Sequence, residues 1–340
     1  ELFKGESLVP GTRAIGPAPV RRGGPEILLG SNGPKALRRA GAFTDGAVTW
    51  SFGADPQEAR RIEPRARTHR RALFSPSTAT VDPGEVMASL LADAISLGIE
   101  VRTGVRVLGA DAGTLHTSAG PVAYGHLVNA AGLYADRLAR GLGFSQRYRI
   151  LPFKGLYLYS DEPAGAFRTN VYPVPELANP FLGVHVTVTV DGRAKLGPTA
   201  IPCLWREQYE GLSRFDAAEF AEVCGLGASL FLGAGFDFRR LALAEVRKYH
   251  RPHLVAQASA LADGIRAEHF TRWGRPGIRA QLVDVASRTL VQDFVVEGDA
   301  RSTHVLNAVS PGWTAALPFA DHLCERILGS TAASAPGASA

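Results

Sequence analysis

The segment His126–Arg140, HLVNAAGLYADRLAR, guides the interpretation of the whole chain. Its first residues, His126–Ala130, form a short apolar run of the kind found in a buried strand. Ala130–Gly132 have almost no side chains, so another molecule can approach the backbone closely there. Leu133–Gly143 then has helical leucine spacing and ends in glycine. The segment predicts a strand, a tight turn and a helix, which suits either a bound nucleotide or close strand–helix packing.

The composition indicates a globular protein with ample material for a hydrophobic core. The chain has 340 residues, of which 46% are hydrophobic and 20% charged. Its apolar runs are too short for a membrane span. We expect no nucleic-acid partner, because the arginine-rich run at 60–71 lacks interleaved aromatic residues and favours a solvated loop. The net charge of +5 would favour a dicarboxylate substrate.

The cysteines and histidines predict neither a metal site nor a disulfide framework. Cys203, Cys224 and Cys324 form no CxxC pair, and no carboxylate or cysteine completes a metal shell around His250 and His253. The cysteine pattern indicates a reducing compartment. The location itself stays open: cytoplasmic or peripheral to the membrane in a bacterium, mitochondrial in a eukaryote.

A strong helix is predicted after Asp82, where Asp82 and Glu85 form a capping box around Pro83. Gly98 would end this helix. Its expected core-facing side chains, at helical spacing, are Val86, Leu90, Ala94 and Leu97.

Further along, short helices and strands give way to long alternating strands, which predicts a mixed α/β chain with two layers. The antiparallel part includes a hairpin around Asp191-Gly192. Thr289–Val296 is predicted to be one strand. His304–Ala308 is predicted to be another, leading into a helix over Thr314–Leu328.

Together with four later segments, HLVNAAGLYADRLAR resembles the D-amino-acid-oxidase superfamily of FAD enzymes, and within it most closely the L-2-hydroxyglutarate oxidases and dehydrogenases. The four segments are ILPFKGLY at 150–157, VYPVPELANPFLGVHVTVTVDG at 171–192, PGIRAQLVD at 276–284 and HVLNAVSPGWTAAL at 304–317. The resemblance implies an FAD-linked oxidoreductase fold. In that fold a nucleotide-binding layer is joined to a substrate domain built on an antiparallel sheet.

One part of that family's pattern is missing. The family opens with a βαβ unit whose GxGxxG motif holds the FAD pyrophosphate, and the chain contains no such unit. GLGASLFLG at 225–233 follows Glu222, Val223 and Cys224 instead of a buried strand, so it is interpreted as a helix. The chain begins at Glu1, and we expect that it lacks an N-terminal segment. The nucleotide-binding layer would then be incomplete, and the activity of the chain is in doubt.

The resemblance and the change of pattern suggest domain boundaries. Residues 1–75 would be an N-terminal remnant that contributes to the substrate or hinge region. Residues 76–145 and 286–328 would form the incomplete FAD-binding domain, and residues 146–285 the substrate domain. The low-complexity tail, 329–340, is expected to be disordered.

Oxidation of a 2-hydroxy acid by a flavin needs a base for the hydroxyl proton and cations for the carboxylates. The resemblance implies that His185 is the base, although a core histidine fits its position too and the family's early histidine competes for the role. Arg279 would bind a carboxylate with its guanidinium fork, with a surface salt bridge as the alternative. Lys154 would hold the second carboxylate. Tyr172 is a candidate hydroxyl donor, or packs on the neighbouring prolines.

The resemblance also implies an FAD site built from three stretches. Val105 would contact the adenine end of the cofactor. The turn after the first strand would contribute Ala130, Ala131 and Gly132. A later helix start, whose N–H groups would stabilise negative charge on the reduced flavin, would contribute Ser310, Pro311, Gly312, Trp313 and Thr314. The alternative there is an ordinary helix start capped by Ser310.

These residues predict an FAD-dependent enzyme that oxidises an L-2-hydroxy acid, with L-2-hydroxyglutarate as substrate and 2-oxoglutarate as product. A flavin oxidoreductase for amines, amino acids or glycerol 3-phosphate is a second hypothesis. A non-catalytic remnant that cannot hold FAD is a third. A small dicarboxylate is the expected partner, while the electron acceptor, oxygen or a quinone, stays open.

Overall fold

The structure is a computed structural model, and it describes residues 52–75, 78–111, 113–174, 181, 183–233, 238–308 and 312–333. The chain divides into two compact units, Glu1–Ala79 and Thr80–Ala340. Most of the predicted N-terminal remnant and the end of the predicted tail, 334–340, lie outside the described residues.

In the first unit, two strands and one helix are described. Strand β1 (Phe52–Ala54) pairs antiparallel with β2 (Ala72–Phe74). Helix α1 (Pro56–Ile62) lies between them in sequence. Asp55 caps this helix, because its carboxylate accepts hydrogen bonds from the first free backbone N–H groups of the helix.

The second unit mixes helices with strands, which confirms the predicted α/β class. Its strands are β3 (Val107–Asp111), β4 (Thr114–Thr117), β5 (Gly120–Ala123), β6 (Leu127–Asn129), β7 (Tyr148–Gly155), β8 (Leu158–Ser160), β9 (His185–Val188), β10 (Ala194–Gly197), β11 (Ile201–Pro202), β12 (Phe270–Trp273), β13 (Gly277–Asp284), β14 (Thr289–Leu290), β15 (Val295–Gly298) and β16 (Ser302–Asn307). Its helices are α2 (Pro83–Ser96), α3 (Ala135–Gly141), α4 (Ala217–Gly233), α5 (Phe238–Arg247), α6 (Arg251–Ala258) and α7 (Ala316–Ala333), with 3-10 turns at Gly132–Tyr134 and Ala267–His269.

The predicted strand–turn–helix segment is confirmed, and it joins a sheet with the order β15-β16-β6. β6 and β16 run parallel, with Leu127 opposite Ser302 and Asn129 opposite His304. Helix α3 packs beside this sheet through buried alanines that contact Leu306. Two segments that lie far apart in the sequence therefore share one layer, while β3, β4 and β5 form a separate antiparallel sheet.

The chain after Ile150 forms two antiparallel sheets, with the orders β11-β7-β13-β14 and β12-β8-β10-β9. β7 and β13 pair along their whole length, from Tyr148 opposite Asp284 to Gly155 opposite Gly277. Strands β9 and β10 form the predicted hairpin. Gly192 allows the turn between them because its φ is +79°. Helices α4 and α5 cover one face of the first sheet, and α6 covers one face of the second.

The prediction of one strand over Thr289–Val296 is wrong. β14 pairs with β13, whereas β15 pairs with β16, so the chain changes sheets between Leu290 and Val295. Asn307 makes this change favourable, because its side-chain amide donates to the carbonyl oxygens of Val291 (3.2 Å) and Asp293 (2.6 Å).

Two helix predictions also need correction. The Asp82 cap is confirmed, but none of the residues of α2 is buried, and Leu90 and Leu97 are exposed by 40% and 77%. Helical spacing identifies an apolar face without identifying its packing partner. Helix α7 begins at Ala316 and continues to Ala333, so the first residues of the predicted disordered tail are helical.

Neither a membrane span nor a metal cluster is found in the described part of the chain. No helix there is long and apolar enough to cross a membrane. No group of His, Cys, Asp and Glu side chains there could hold a metal ion. Cys203, Cys224 and Cys324 are free thiols, and the first of them is buried.

A buried ion pair joins the layers of the second unit. The side chains of Arg206 and Asp136 are both fully buried, with Nη1–Oδ1 at 2.7 Å and Nη2–Oδ2 at 3.0 Å. Asp136 also accepts from the backbone N–H of Ile150 in β7 (3.1 Å), and Arg206 contacts Glu222 of α4. Burial opposes ionisation, but hydrogen bonds from Arg137 and the charge of Arg206 lower the pKa of Glu222 to about 2.

Replacement of Arg206 by methionine should strongly destabilise the protein. Arg206→Met leaves the buried carboxylate of Asp136 with only the guanidinium of Arg140, 4.0 Å away, and breaking a buried ion pair typically costs about 3–5 kcal/mol. Urea unfolding followed by circular dichroism measures the difference. Arg214→Gln, which removes an exposed ion pair with Glu207, is the matched control and should leave stability almost unchanged. Equal midpoints for both variants would contradict this account.

Candidate functional site

The turn after β6 is organised by a buried asparagine. The Oδ1 atom of Asn129 accepts from the backbone N–H of Ala131 (3.2 Å), and its Nδ2 donates to the carbonyl of Ala135 (2.8 Å). Gly132 has a φ of +53°, and no atom lies within 4 Å of the position that a Cβ would occupy there. The turn therefore exposes backbone to open space.

A second buried asparagine, Asn307, ends the neighbouring parallel strand β16. Its Oδ1 accepts from the backbone N–H of Leu282 in β13 (3.4 Å), while its amide holds the segment between β14 and β15. Because β6 and β16 are parallel, the chain leaves both strands at the same edge of the sheet. Ligands of α/β proteins commonly bind at such an edge.

A cleft of about 320 Å³ lies between this edge and β13. It is lined by Ala130, Gly132, Ile278, Arg279, Ala280, Val305, Leu306 and Ala308. Its volume is near the lower limit of ligand pockets, about 300–1,000 Å³, which suits one part of a dinucleotide. Two of the three predicted turn residues, Ala130 and Gly132, thus share a cleft with Ala308, the residue that follows β16.

One wall of the cleft is a free strand edge. β14 pairs only with Val283 and Asp284, and no other strand in the described part of the chain pairs with this side of β13. The backbone of Leu282 points to that side, where it bonds Asn307 and Val291. Along a strand, the N–H and C=O groups of every second residue point to the same side. Those of Ala280 and Ile278 therefore point to the same side of β13 as those of Leu282. No strand of the described residues pairs with these groups, so a polar ligand could bond them.

Arg279 is one of the residues that line the cleft, and its side chain lies on the same face of the sheet as Phe153, where its guanidinium is only partly compensated. Its Nε atom is buried without a hydrogen-bond partner, and no carboxylate of the described residues pairs with it. The guanidinium carbon lies 5.2 Å from the centre of the Phe181 ring. Burial lowers the pKa of Arg279 from its ordinary value. These contacts are not those of a surface salt bridge, and they leave the cation free to bind an anion.

Lys154 does not converge with Arg279. In the register of β7 and β13, Arg279 lies opposite Phe153 and Ile278 lies opposite Lys154. Residues directly opposite each other share a face, and neighbours along a strand alternate, so the two cations point to opposite faces of the sheet. Lys154 is only 8% exposed and lies near Cys203. The expected pair of cations around one substrate is not formed by these two residues.

His185 and Tyr172 are brought together. Their rings stack with centroids 4.3 Å apart, and the edge of Tyr157 completes the group at 6.5 Å from the imidazole. The Nδ1 atom of His185 lies 3.0 Å from the carbonyl oxygen of Gly183, so Nδ1 carries the hydrogen and Nε2 keeps its lone pair. Burial, together with the charge of Lys195, lowers the pKa of His185. The imidazole is therefore neutral near pH 7 and can accept a proton at Nε2.

The remaining predicted cofactor residues are only partly described. Val105 precedes β3 and does not line the cleft. Ser310 and Pro311 lie outside the described residues. Gly312, Trp313 and Thr314 form a turn before α7, and the backbone N–H of Ala316 bonds the carbonyl of Trp313 (3.2 Å). Their roles remain predictions.

Residues that shape the site were not found from the sequence. Asn129 and Asn307 each end a strand, in Val-Asn-Ala and Leu-Asn-Ala, and that repeated pattern could have identified them. Lys195 and Tyr157 gave no signal, because their proximity depends on the pairing of β8 with β10.

Comparison with known proteins identifies sequence relatives. A family model described as FAD dependent oxidoreductase (DAO) matches residues 18–326. The chain is 30% identical over 302 residues to a mitochondrial L-2-hydroxyglutarate dehydrogenase of Nematostella vectensis, covering 80% of this chain and 64% of the relative. It is 31% identical to an L-2-hydroxyglutarate dehydrogenase of Indibacter alkaliphilus, covering 76% and 65%. The chain thus spans somewhat less than two thirds of the length of these curated relatives. The resemblance found in the sequence is confirmed.

Solved structures share the fold. Glycine oxidase from Geobacillus kaustophilus matches with a TM-score of 0.52 at 18% identity, covering 88% of this chain and 70% of that one. The L-alpha-glycerophosphate oxidase of Mycoplasma pneumoniae with FAD bound matches with a TM-score of 0.53 at 16% identity, covering 88% and 72%. The predicted FAD-linked oxidoreductase fold is confirmed by these similarities.

The imidazole of His185 should titrate below its ordinary pKa of 6.5, because burial disfavours the charged form. The unfolded chain then binds a proton more readily, so stability should fall as the pH drops from 6.5 through the folded pKa. Tyr172→Leu removes the stacked ring, admits water and should move the midpoint towards 6.5. Proton NMR titration measures both midpoints. Tyr124→Leu, at the residue that follows β5, is the control. A midpoint at or above 6.5 for His185 in the unmodified protein would disprove the assignment.

Proposed function

Because the chain belongs to the DAO family of FAD-dependent oxidoreductases, we propose that it oxidises L-2-hydroxyglutarate to 2-oxoglutarate. The relatives with about 30% identity, which are named L-2-hydroxyglutarate dehydrogenases, support this substrate. The site supports it through Arg279, a partly buried cation without an anionic partner in the described chain that stands at a cleft of bare backbone. This observation carries the proposal.

The cleft fits part of an FAD molecule. Ala130–Gly132 offer backbone without side chains, and the free edge of β13 offers the polar backbone groups of Ile278 and Ala280. These residues, together with Gly312–Thr314, would hold the cofactor. When bound, FAD supplies the acceptor for the hydride that leaves the substrate.

Arg279 would bind the carboxylate next to the reacting carbon. A guanidinium can donate two parallel hydrogen bonds to a carboxylate, which fixes both the position and the plane of that group. Burial strengthens this interaction because little water competes for either charge. Arg279 therefore orients the substrate.

His185 would take the proton of the substrate hydroxyl. Its Nε2 atom keeps its lone pair because Nδ1 donates to Gly183, and the stacked ring of Tyr172 limits rotation of the imidazole. A neutral imidazole with a lowered pKa remains a base at neutral pH. The acid limb of the pH–rate profile should accordingly lie below pH 6.5.

Anaerobic reduction of the flavin tests the substrate assignment. The protein is loaded with FAD, and loss of the visible absorbance of the oxidised flavin is followed after addition of L-2-hydroxyglutarate. D-2-hydroxyglutarate, glycine and glycerol 3-phosphate serve as comparison compounds. The proposal is supported if L-2-hydroxyglutarate reduces the flavin and the three comparison compounds do not. Faster reduction by glycine or by glycerol 3-phosphate would instead identify that compound's class as the substrate.

Arg279→Lys should lower kcat/KM for L-2-hydroxyglutarate by about thirty-fold or more. The lysine keeps the charge but loses the bidentate geometry, and loss of a buried charge-assisted pair costs about 2–5 kcal/mol. Steady-state kinetics of the FAD-loaded protein measure the effect. Arg275→Lys, an exposed arginine on the segment before β13, is the matched control. Unchanged kinetics in Arg279→Lys would remove this residue from the site.

A further inference from the structure

One face of the sheet β12-β8-β10-β9 carries polar and aromatic side chains. In its register, Lys195 lies opposite Tyr159 on one side and opposite Thr187 on the other, so these three side chains share a face. The opposite face carries Leu158, Val186 and Leu196, which are buried against α6. The face with Lys195 is therefore the one turned away from the hydrophobic core.

Lys195 is a half-buried cation, and the groups of the described chain that compensate its charge are aromatic rings. Its Nζ lies 4.4 Å from the centre of the Tyr157 ring and 5.8 Å from that of Tyr159. Burial lowers the pKa of Lys195 and raises that of Tyr157 to about 12, so the tyrosine stays neutral. Within the described chain, no carboxylate forms an ion pair with Lys195. An aromatic ring compensates a buried cation only in part.

The same face reaches the group proposed as the base. Gly197, two residues after Lys195, pairs with His185. The ring of Tyr157 contacts both the lysine ammonium and the imidazole. We call Tyr157, Tyr159, Tyr172, His185 and Lys195 the tyrosine–lysine cluster.

The tyrosine–lysine cluster adjoins the strand that carries Arg279. The backbone N–H of Gly274, three residues before β13, donates to the carbonyl of Tyr157 (2.8 Å). Gly155, two residues before Tyr157, lies opposite Gly277, which is two residues before Arg279. The cluster and Arg279 are therefore connected by one short stretch of paired backbone.

We propose that Lys195 binds the second carboxylate of a dicarboxylate substrate, with the tyrosines around it forming the wall of that subsite. The inference rests on the proposed function, and it names the residue that selects dicarboxylates over monocarboxylates. Lys195 takes the place expected for Lys154, whose side chain points to the face of β7 opposite that of Arg279. An incoming carboxylate would complete the charge balance that the rings leave partial.

The test compares two carboxylates that cannot be oxidised at a hydroxyl group. Glutarate has carboxylates at both ends of its chain, whereas butanoate has one. Isothermal titration of the FAD-loaded protein measures both dissociation constants. Lys195→Met should raise the Kd for glutarate at least about tenfold and leave that for butanoate within about twofold. Lys195→Arg should restore glutarate binding, because it keeps the charge.

Matched variants make the result decisive. Arg193→Gln removes a positive charge from the same hairpin, where Arg193 is exposed and lies near Asp191, and it should leave both constants unchanged. If Lys195→Met does not fold by circular dichroism, Lys195→Gln takes its place. Unchanged glutarate binding in the Lys195 variant, a loss seen instead in Lys154→Met, or no glutarate binding by the unmodified protein would each overturn the proposal.

The experiments distinguish a failure of the proposed substrate from a failure of the proposed Lys195 subsite. Discrimination between glutarate and butanoate does not require oxidation of either compound. Loss of glutarate selectivity in Lys195→Met, without reduction of the flavin by L-2-hydroxyglutarate, would retain the subsite and reject the proposed substrate. Flavin reduction that is equally efficient in Lys195→Met would retain the substrate and reject the subsite.

Discussion

The site depends on the buried ion pair between Arg206 and Asp136. Asp136 lies at the start of α3, directly after the turn that forms one side of the cleft, and it accepts a hydrogen bond from β7, the partner of the strand on the other side. Arg206 adds a hydrogen bond to the carbonyl of Leu133, the residue after Gly132. One guanidinium and one carboxylate thus fix the turn relative to the antiparallel sheet, and through it both walls of the cleft.

A buried asparagine ends each of the two parallel strands beside the cleft. Asn129 donates to the carbonyl of Ala135 in the turn that follows β6, and Asn307 donates to the carbonyl of Asp293 in the segment between β14 and β15. A loop whose polar groups are satisfied by a buried side chain needs no further packing against the sheet. The space beside Gly132 and Ala280 is left free for a ligand.

Local patterns predicted the elements well, and long-range pairing accounts for the errors. The cap at Asp82 and the turn at Gly192 depend on neighbouring residues, so the sequence alone is sufficient to predict them. The division of Thr289–Val296 between two sheets, and the opposite faces of Lys154 and Arg279, follow from strand register, which distant partners set. The burial of Arg206 has no local signature either, since its carboxylates lie in α3 and α4.

The groups that surround a buried or partly buried cation differ between the structural ion pair and the candidate site. Arg206 is fully buried, and its charge is neutralised by the carboxylates of Asp136 and Glu222. Arg279 and Lys195 are partly buried, and within the described chain each contacts an aromatic ring in place of a carboxylate. A ring lowers the cost of burial without cancelling the charge, so both cations retain attraction for an anion. Because no carboxylate of the described chain neutralises these two cations, a substrate with two negative charges can neutralise both when it binds.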